Sequence, residues 1–277
     1  MTQDNRPSMA EFFGYRNHPF ADTHPTAAAF ISEKDARIRD RALSLLQCGK
    51  SFAFCGPSGA GKSTLAAHLI GLLDPVIYKP VLLHYAGFNR GGLLRAIADR
   101  LGVDTGGRSL PLLIRLQKHM LQLTGAANGR YPVIFVDDAQ LLERESMMDL
   151  CSLMVSAEKK TVAASIVLIG DDTLKDRLAM SVMAPIKSRL TAIFPMDPLD
   201  EKSSELFIAH RLDQAKAPEH LFENDVISLI AAHCRGNRRL IVNTATLLLD
   251  EAYFRKENTV NAQTMLECDL IQSADCN

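Results

Sequence analysis

The chain carries almost no net charge: 31 lysines and arginines stand against 32 aspartates and glutamates, a balance of -1, with a pI of about 6.7. No electropositive field therefore draws the whole molecule to nucleic acid, and any such binding must use a local patch. No run of about 18 apolar residues occurs that could cross a membrane. The start, MTQDNRPSMAEFF, lacks the basic and apolar stretches of a signal peptide, which points to the cytoplasm. The six cysteines, at 48, 55, 151, 234, 268 and 276, show no C-x-x-C spacing and no pairing with the eight histidines that would suggest a metal site. Cys55 and Cys151 lie in apolar segments and read as small buried hydrophobes. Internal repeats and low-complexity segments are absent as well.

What is present is the balance of a compact globular protein, 47% hydrophobic and 23% charged over 277 residues, enough for a core with a smaller appendage. The segment EFFGYRNHPF (11–20) is dense in aromatics and is expected to pack. Apolar spacing predicts a helix over 33–46, a strand over 51–55, a helix over 62–73, a strand over 80–85 and a helix over 91–101. A helical segment after Ser109 is followed by strand 132–137, helix 146–156, strand 165–170 and a short strand 191–194. Such alternation implies a parallel sheet with helices on both faces. Beyond Pro198 only helices are expected, over 203–215, 225–234, 238–254 and 261–271. The organisation is thus an N-terminal arm (1–32), an α/β core (33–198) and an all-helical lid (199–277).

Between the first strand and the next helix lie Gly56, Pro57, Ser58, Gly59, Ala60, Gly61, Lys62 and Ser63, followed by Thr64. They fit G-x-x-x-x-G-K-[ST] at every fixed position in the strand-to-helix setting the pattern requires. Glycines let backbone N–H groups turn inward around phosphates, the helix N-terminus favours negative charge, and the Lys62 ammonium reaches the terminal phosphates of ATP. The Ser63 hydroxyl is placed to ligate magnesium. Strand 133–138, Val-Ile-Phe-Val-Asp-Asp, ends in two carboxylates. Asp137 would hold magnesium and Asp138 would orient and polarise the attacking water. A strand between these two motifs fits a P-loop ATPase better than a metabolite kinase.

At these residues the chain resembles the AAA+ family, and within it the bacterial group that includes ExeA-type secretion ATPases and the TniB, TnsC and MuB transposition helpers. EFFGYRNHPF resembles the group's N-terminal element, VDDAQ (136–140) its Walker B "DEAQ", and LIGDDTL (168–174) its sensor 1 strand. RLDQA (211–215) and GNRRLI (236–241) are similar to its lid segments. The resemblance implies an AAA+ three-layer sandwich with a helical lid, and roles for three further residues. Asp171 would be the sensor 1 residue, or else a helix N-cap. Arg189 would be an arginine finger reaching a neighbouring subunit, or else a surface ion-pair partner. Arg239 would be the sensor 2 arginine. Two positions depart from the pattern: Asp138 stands where the family has glutamate, and Arg238 where "GxPR" has proline.

Two tasks are implied. An ExeA-type ATPase would be expected to continue into a membrane segment and a cell-wall-binding region, and the end of this sequence soon after the lid favours the transposition helpers. Those assemble with ATP into rings or filaments on duplex DNA and recruit a transposase. The turn Phe88-Asn89-Arg90-Gly91-Gly92 is either a DNA-contacting loop, with Arg90 on a phosphate, or an ordinary helix start. Lys159 and Lys160 read as a solvated face. The alternative task is a cytoplasmic ATPase that energises or remodels a protein complex such as a secretion apparatus.

Overall fold

The protein is described from a computed structural model covering residues 7–22, 29–84, 90–106, 110–125, 129–154 and 162–274, with the side chains of Arg90 and 272–274 excluded. Phe88, Asn89, Lys159 and Lys160, and the side chain of Arg90, lie outside these residues. Two compact units divide the chain. One comprises Glu33–Pro57 and Lys62–Met196, the other Met1–Ser32, Ser58–Gly61 and Asp197–Asn277. The residues expected as an arm thus group with the C-terminal helices.

The first unit is built on five parallel strands: β1 (Ser51–Cys55), β2 (Tyr78–His84), β3 (Tyr131–Asp137), β4 (Ser165–Gly170) and β5 (Leu190–Pro195), in the order β2-β3-β4-β1-β5. Strands covered on both faces read as continuous apolar runs, and β1, β3 and β4 do so. All residues of β1 and β4 are buried. Phe52 and Phe54 are fully buried, and each such ring contributes about 1.5–3 kcal/mol. Pro80, which cannot donate to a ladder, sits in β2, a strand that among the described residues pairs with β3 alone. The Ser51 hydroxyl, buried between β1 and β4, accepts the Ile166 N–H at 2.8 Å.

Flanking the sheet are α2 (Glu33–Gln47), α3 (Lys62–Leu72), α4 (Arg90–Leu101), α5 (Leu112–Gly125) and α6 (Arg144–Met154), together with the short α7 (Asp172–Ala179) and α8 (Ala184–Lys187). Leu93, Ile97, Leu116, Met120, Met147, Leu150 and Leu153 from these helices meet Val81, Leu83, Ile134 and Val136 in one apolar cluster.

In the second unit α9 (Glu201–Gln214), α10 (Asn224–Cys234) and α11 (Arg238–Arg255) carry the core. The segment expected as one helix over 261–271 is instead two, α12 (Ala262–Leu266) and α13 (Asp269–Ala274). Arg255 ties down the first of the two residues between them, bonding the Glu267 carboxylate and, at 3.1 Å, its backbone carbonyl. The aromatic N-terminal segment begins with α1 (Met9–Phe13), closed by a Ser8–Glu11 capping box. Phe13, Tyr15 and Phe20 are buried against α9–α11, with Phe20 edge-on to Phe222 at 5.5 Å. The Arg16 N–H donates to the Ala215 carbonyl (2.9 Å) and the Tyr253 hydroxyl donates to the Pro7 carbonyl (2.7 Å), fastening it. Cys48 is exposed; Cys55 and Cys151 are buried, as packing residues would be, and Cys234 and Cys268 are buried too, with the Cys234 thiol donating to Thr244 Oγ1 at 3.5 Å. No helix among the described residues is long and apolar enough to cross a membrane.

Candidate nucleotide site

The C-terminal ends of parallel strands are where open α/β sheets bind ligands. In the sheet unit β1 leads there into Gly56 and Pro57, and α3 starts with Lys62 and Ser63. The Lys62 ammonium donates to the carbonyls of Gly56 (2.7 Å) and Pro57 (2.9 Å), folding back over the loop it follows. Burial pushes its pKa down, while Asp137, Asp171 and Asp172 pull the other way. Lys62, which opens α3, thus shares one electrostatic neighbourhood with Asp137 at the end of β3 and with Asp171 and Asp172 just after β4. Gly56 is required by close approach, since a Cβ there would lie 2.0 Å from the Met196 carbonyl oxygen. Burial, with Asp172 the next cause, pushes the adjacent Cys55 thiol up to about 11, so it stays protonated and inert.

Asp137 ends β3 and is buried, whereas Asp138 is exposed. Asp137 Oδ1 accepts the Asp138 N–H at 3.0 Å, and its Oδ2 lies 3.3 Å from His84 Nδ1 at the end of β2. Asp138 adopts left-handed backbone angles, φ 53° and ψ 36°. Gln140 Nε2 donates to Asp138 Oδ1 at 3.2 Å. Asp171 caps α7, accepting the Thr173 N–H at 2.9 Å, so the capping reading describes its side chain while its charge still acts on Lys62. Arg189 is exposed in the turn before β5, and its charge opposes the upward push of burial on the Cys151 thiol.

In the helical unit, Ser58–Gly61 of the loop meets the start of α11. Asn237 caps the helix, its Oδ1 accepting from the N–H groups of Arg239 (3.1 Å) and Leu240 (3.2 Å), and its Nδ2 donates to the Ser58 carbonyl at 2.9 Å. The Arg238 N–H bonds the Gly59 carbonyl at 3.0 Å and its buried guanidinium bonds that of Ala60. Arg239 Nη1 donates to Ser58 Oγ at 2.9 Å. Gly59 and Gly61 have φ of +80° and +93°, and a Cβ at Gly61 would fall 2.9 Å from the Arg238 guanidinium carbon. The arginine in the proline position is therefore a loop anchor.

Sequence reasoning did not single out His84, Gln140, Arg177 or Asn237. An N-cap signal, asparagine directly before an apolar helical pattern, was available for Asn237. Gln140 entered only as the last residue of VDDAQ (136–140), with no role given to it, and His84 and Arg177 owe their places to strand order and helix packing. Among the described residues no three His, Cys, Asp or Glu side chains cluster as a metal cage. The hard oxygens of Asp137 and Ser63 suit a magnesium ion shared with phosphates, which needs only one or two protein ligands.

A family model described as an AAA domain matches residues 48–178. The sequence is 27% identical over 238 residues to General secretion pathway protein A of Aeromonas hydrophila, covering 83% of this chain and 42% of that protein, so it spans less than half of that relative's length. Among solved structures, the Aeropyrum pernix ORC1 protein in complex with DNA superposes with a TM-score of 0.72 at 16% identity, over 92% of this chain and 69% of that one. The Thermotoga maritima RuvB Holliday junction branch migration motor gives 0.61 at 18% identity, over 87% and 70%. These two share the fold.

Proposed function

We propose, from the premise that this chain is an AAA+ ATPase of the ExeA-like group, that it hydrolyses ATP with the residues gathered around Lys62 to drive changes in a larger assembly. The supporting observation is that Lys62, at the start of α3, feels the charges of Asp137 at the end of β3 and of Asp171 and Asp172 just after β4. Inward N–H groups of Gly56–Ser63, with Thr64 next in α3, bind the phosphates, and the Lys62 ammonium leaves the Gly56 and Pro57 carbonyls for the terminal ones. Ser63 and Asp137 would hold magnesium, which would supply positive charge against that developing on the phosphate oxygens. Asp138 orients and polarises water for in-line attack on the γ-phosphorus, and the bond to the ADP oxygen breaks to give ADP and phosphate. Asp171 senses the γ-phosphate, Arg239 reaches the phosphates from the start of α11, and Arg189 completes a neighbouring subunit's site in a homo-oligomer.

The similarity to General secretion pathway protein A favours a task on a protein complex. A second reading, assembly on duplex DNA as a transposition helper, draws on the glycine-flanked Arg90 that opens α4 and on the helper-like motifs. Filter binding of a duplex separates the two. Retention with an ATP analogue but not ADP, falling steeply with salt and weakened on every sequence by Arg90→Ala, identifies the DNA-bound assembly. Equal retention with both nucleotides, or none, leaves the protein-complex task. Sizing the chain with and without the analogue tests the oligomer in either case.

A further inference from the structure

We propose that Gln140 is a positioning residue for hydrolysis, aiming the Asp138 carboxylate by tying it to the end of β4. The proposal rests on the reading of Asp138 as the group that polarises water.

Both ends of the Gln140 amide are engaged. Its Nε2 donates to Asp138 Oδ1 at 3.2 Å and its Oε1 accepts the Asp171 N–H at 3.4 Å. The polarity is matched at each end, because turning the amide over would set oxygen against carboxylate and NH2 against N–H. Gly170, the last residue of β4, leaves room for it and for Leu174: a Cβ there would lie 2.8 Å from Gln140 Oε1 and 2.6 Å from Leu174 Cδ2. The backbone beneath is held as well. The Arg177 guanidinium of α7 bonds the carbonyls of Gln140 and, at 2.7 Å, of Leu142, and the turn closes through the Leu141 N–H on the Asp138 carbonyl at 3.0 Å. Asp138 itself is exposed and sits in left-handed geometry, so its side chain needs a fixed partner to keep one direction. The strand end where a γ-phosphate would be sensed and the acid that acts on water are thus joined through one side chain.

Gln140→Glu and Gln140→Ala in the full chain separate aiming from filling. The glutamate keeps the size and the acceptor for Asp171 but loses the donor to Asp138 and sets like charges together. Steady-state phosphate release, titration with a fluorescent ATP analogue and thermal midpoints are compared with wild type. Expected are midpoints and analogue affinity close to wild type in both variants, with kcat lower by about ten-fold or more, and the glutamate variant at least as slow as the alanine. Wild-type turnover in Gln140→Glu beside a slow Gln140→Ala would show that the residue only fills space and overturn the proposal. Loss of analogue binding in both would also overturn it, by placing Gln140 in the nucleotide seat. Asp138→Asn is the control on the underlying reading: unchanged phosphate release there would remove Asp138 as the catalytic acid and the proposal with it. A slow Asp138→Asn beside a fast Gln140→Glu would reject the positioning role alone.

Discussion

Replacing Gly56 by alanine tests whether the first glycine of the phosphate loop is demanded by packing. The added Cβ would stand 2.0 Å from the Met196 carbonyl oxygen and 2.9 Å from its carbon, both backbone atoms that cannot swing aside. Ordinary contact requires a displacement of about 1 Å or more, at an overpacking cost of about 1–3 kcal/mol. The shift would strain the Met196 N–H bond to the Cys55 carbonyl (2.7 Å) and move the Gly56 carbonyl that receives Lys62 at 2.7 Å. With about 2–4 °C of melting temperature per kcal/mol in a protein near this size, Gly56→Ala should melt about 2–12 °C lower and bind a fluorescent ATP analogue more weakly. Gly71, near the end of α3, has nothing within 4 Å of its would-be Cβ, and Gly71→Ala should raise the midpoint, by up to about 1 kcal/mol of helix propensity. A Gly56→Ala protein that melts and binds like wild type would refute the close-approach argument.

Lys62→Ala should lower affinity for the analogue by about ten-fold or more, since it deletes a charged donor aimed at the terminal phosphates; unchanged titration would remove Lys62 from the site. Asp138→Asn should keep binding and lower phosphate release by about 100-fold, and Asp138→Glu should raise turnover if the shorter side chain limits it. Arg189→Ala should lower hydrolysis without weakening nucleotide binding by the same protomer. Mixing it with Lys62→Ala should restore part of the activity, because some interfaces pair an intact finger with an intact loop; stable mixed oligomers without recovery would argue against action in trans.

Much of the sheet could be read before the structure because burial on both faces leaves nearly unbroken apolar strings, as in Ser51–Cys55 and Ser165–Gly170. The phosphate loop was legible for a different reason: its chemistry fixes residue types at fixed spacing. Short helices were not. Asp172–Ala179 is only eight residues long and its first turn overlaps a motif already read as a strand end, while Ala184–Lys187 is a single turn containing Pro185. The last helix was drawn too long because the apolar period runs through Glu267 without a break, and it is Arg255, distant in sequence, that holds that residue. Arg238 was visible only as a departure from a pattern. That its guanidinium would bond a loop carbonyl depends on contacts spanning nearly 180 residues, which no local reading supplies.

The helical unit draws together the first 32 residues and everything after Met196. During synthesis on the ribosome, Phe13, Tyr15 and Phe20 therefore emerge long before the side chains of α9–α11 that will cover them. The intervening strands β1–β5 can close their own ladder meanwhile, since every partner lies between Ser51 and Pro195. The nascent chain thus spends that interval with an aromatic segment uncovered, a natural client for a chaperone and a place where a stalled or shortened product would aggregate.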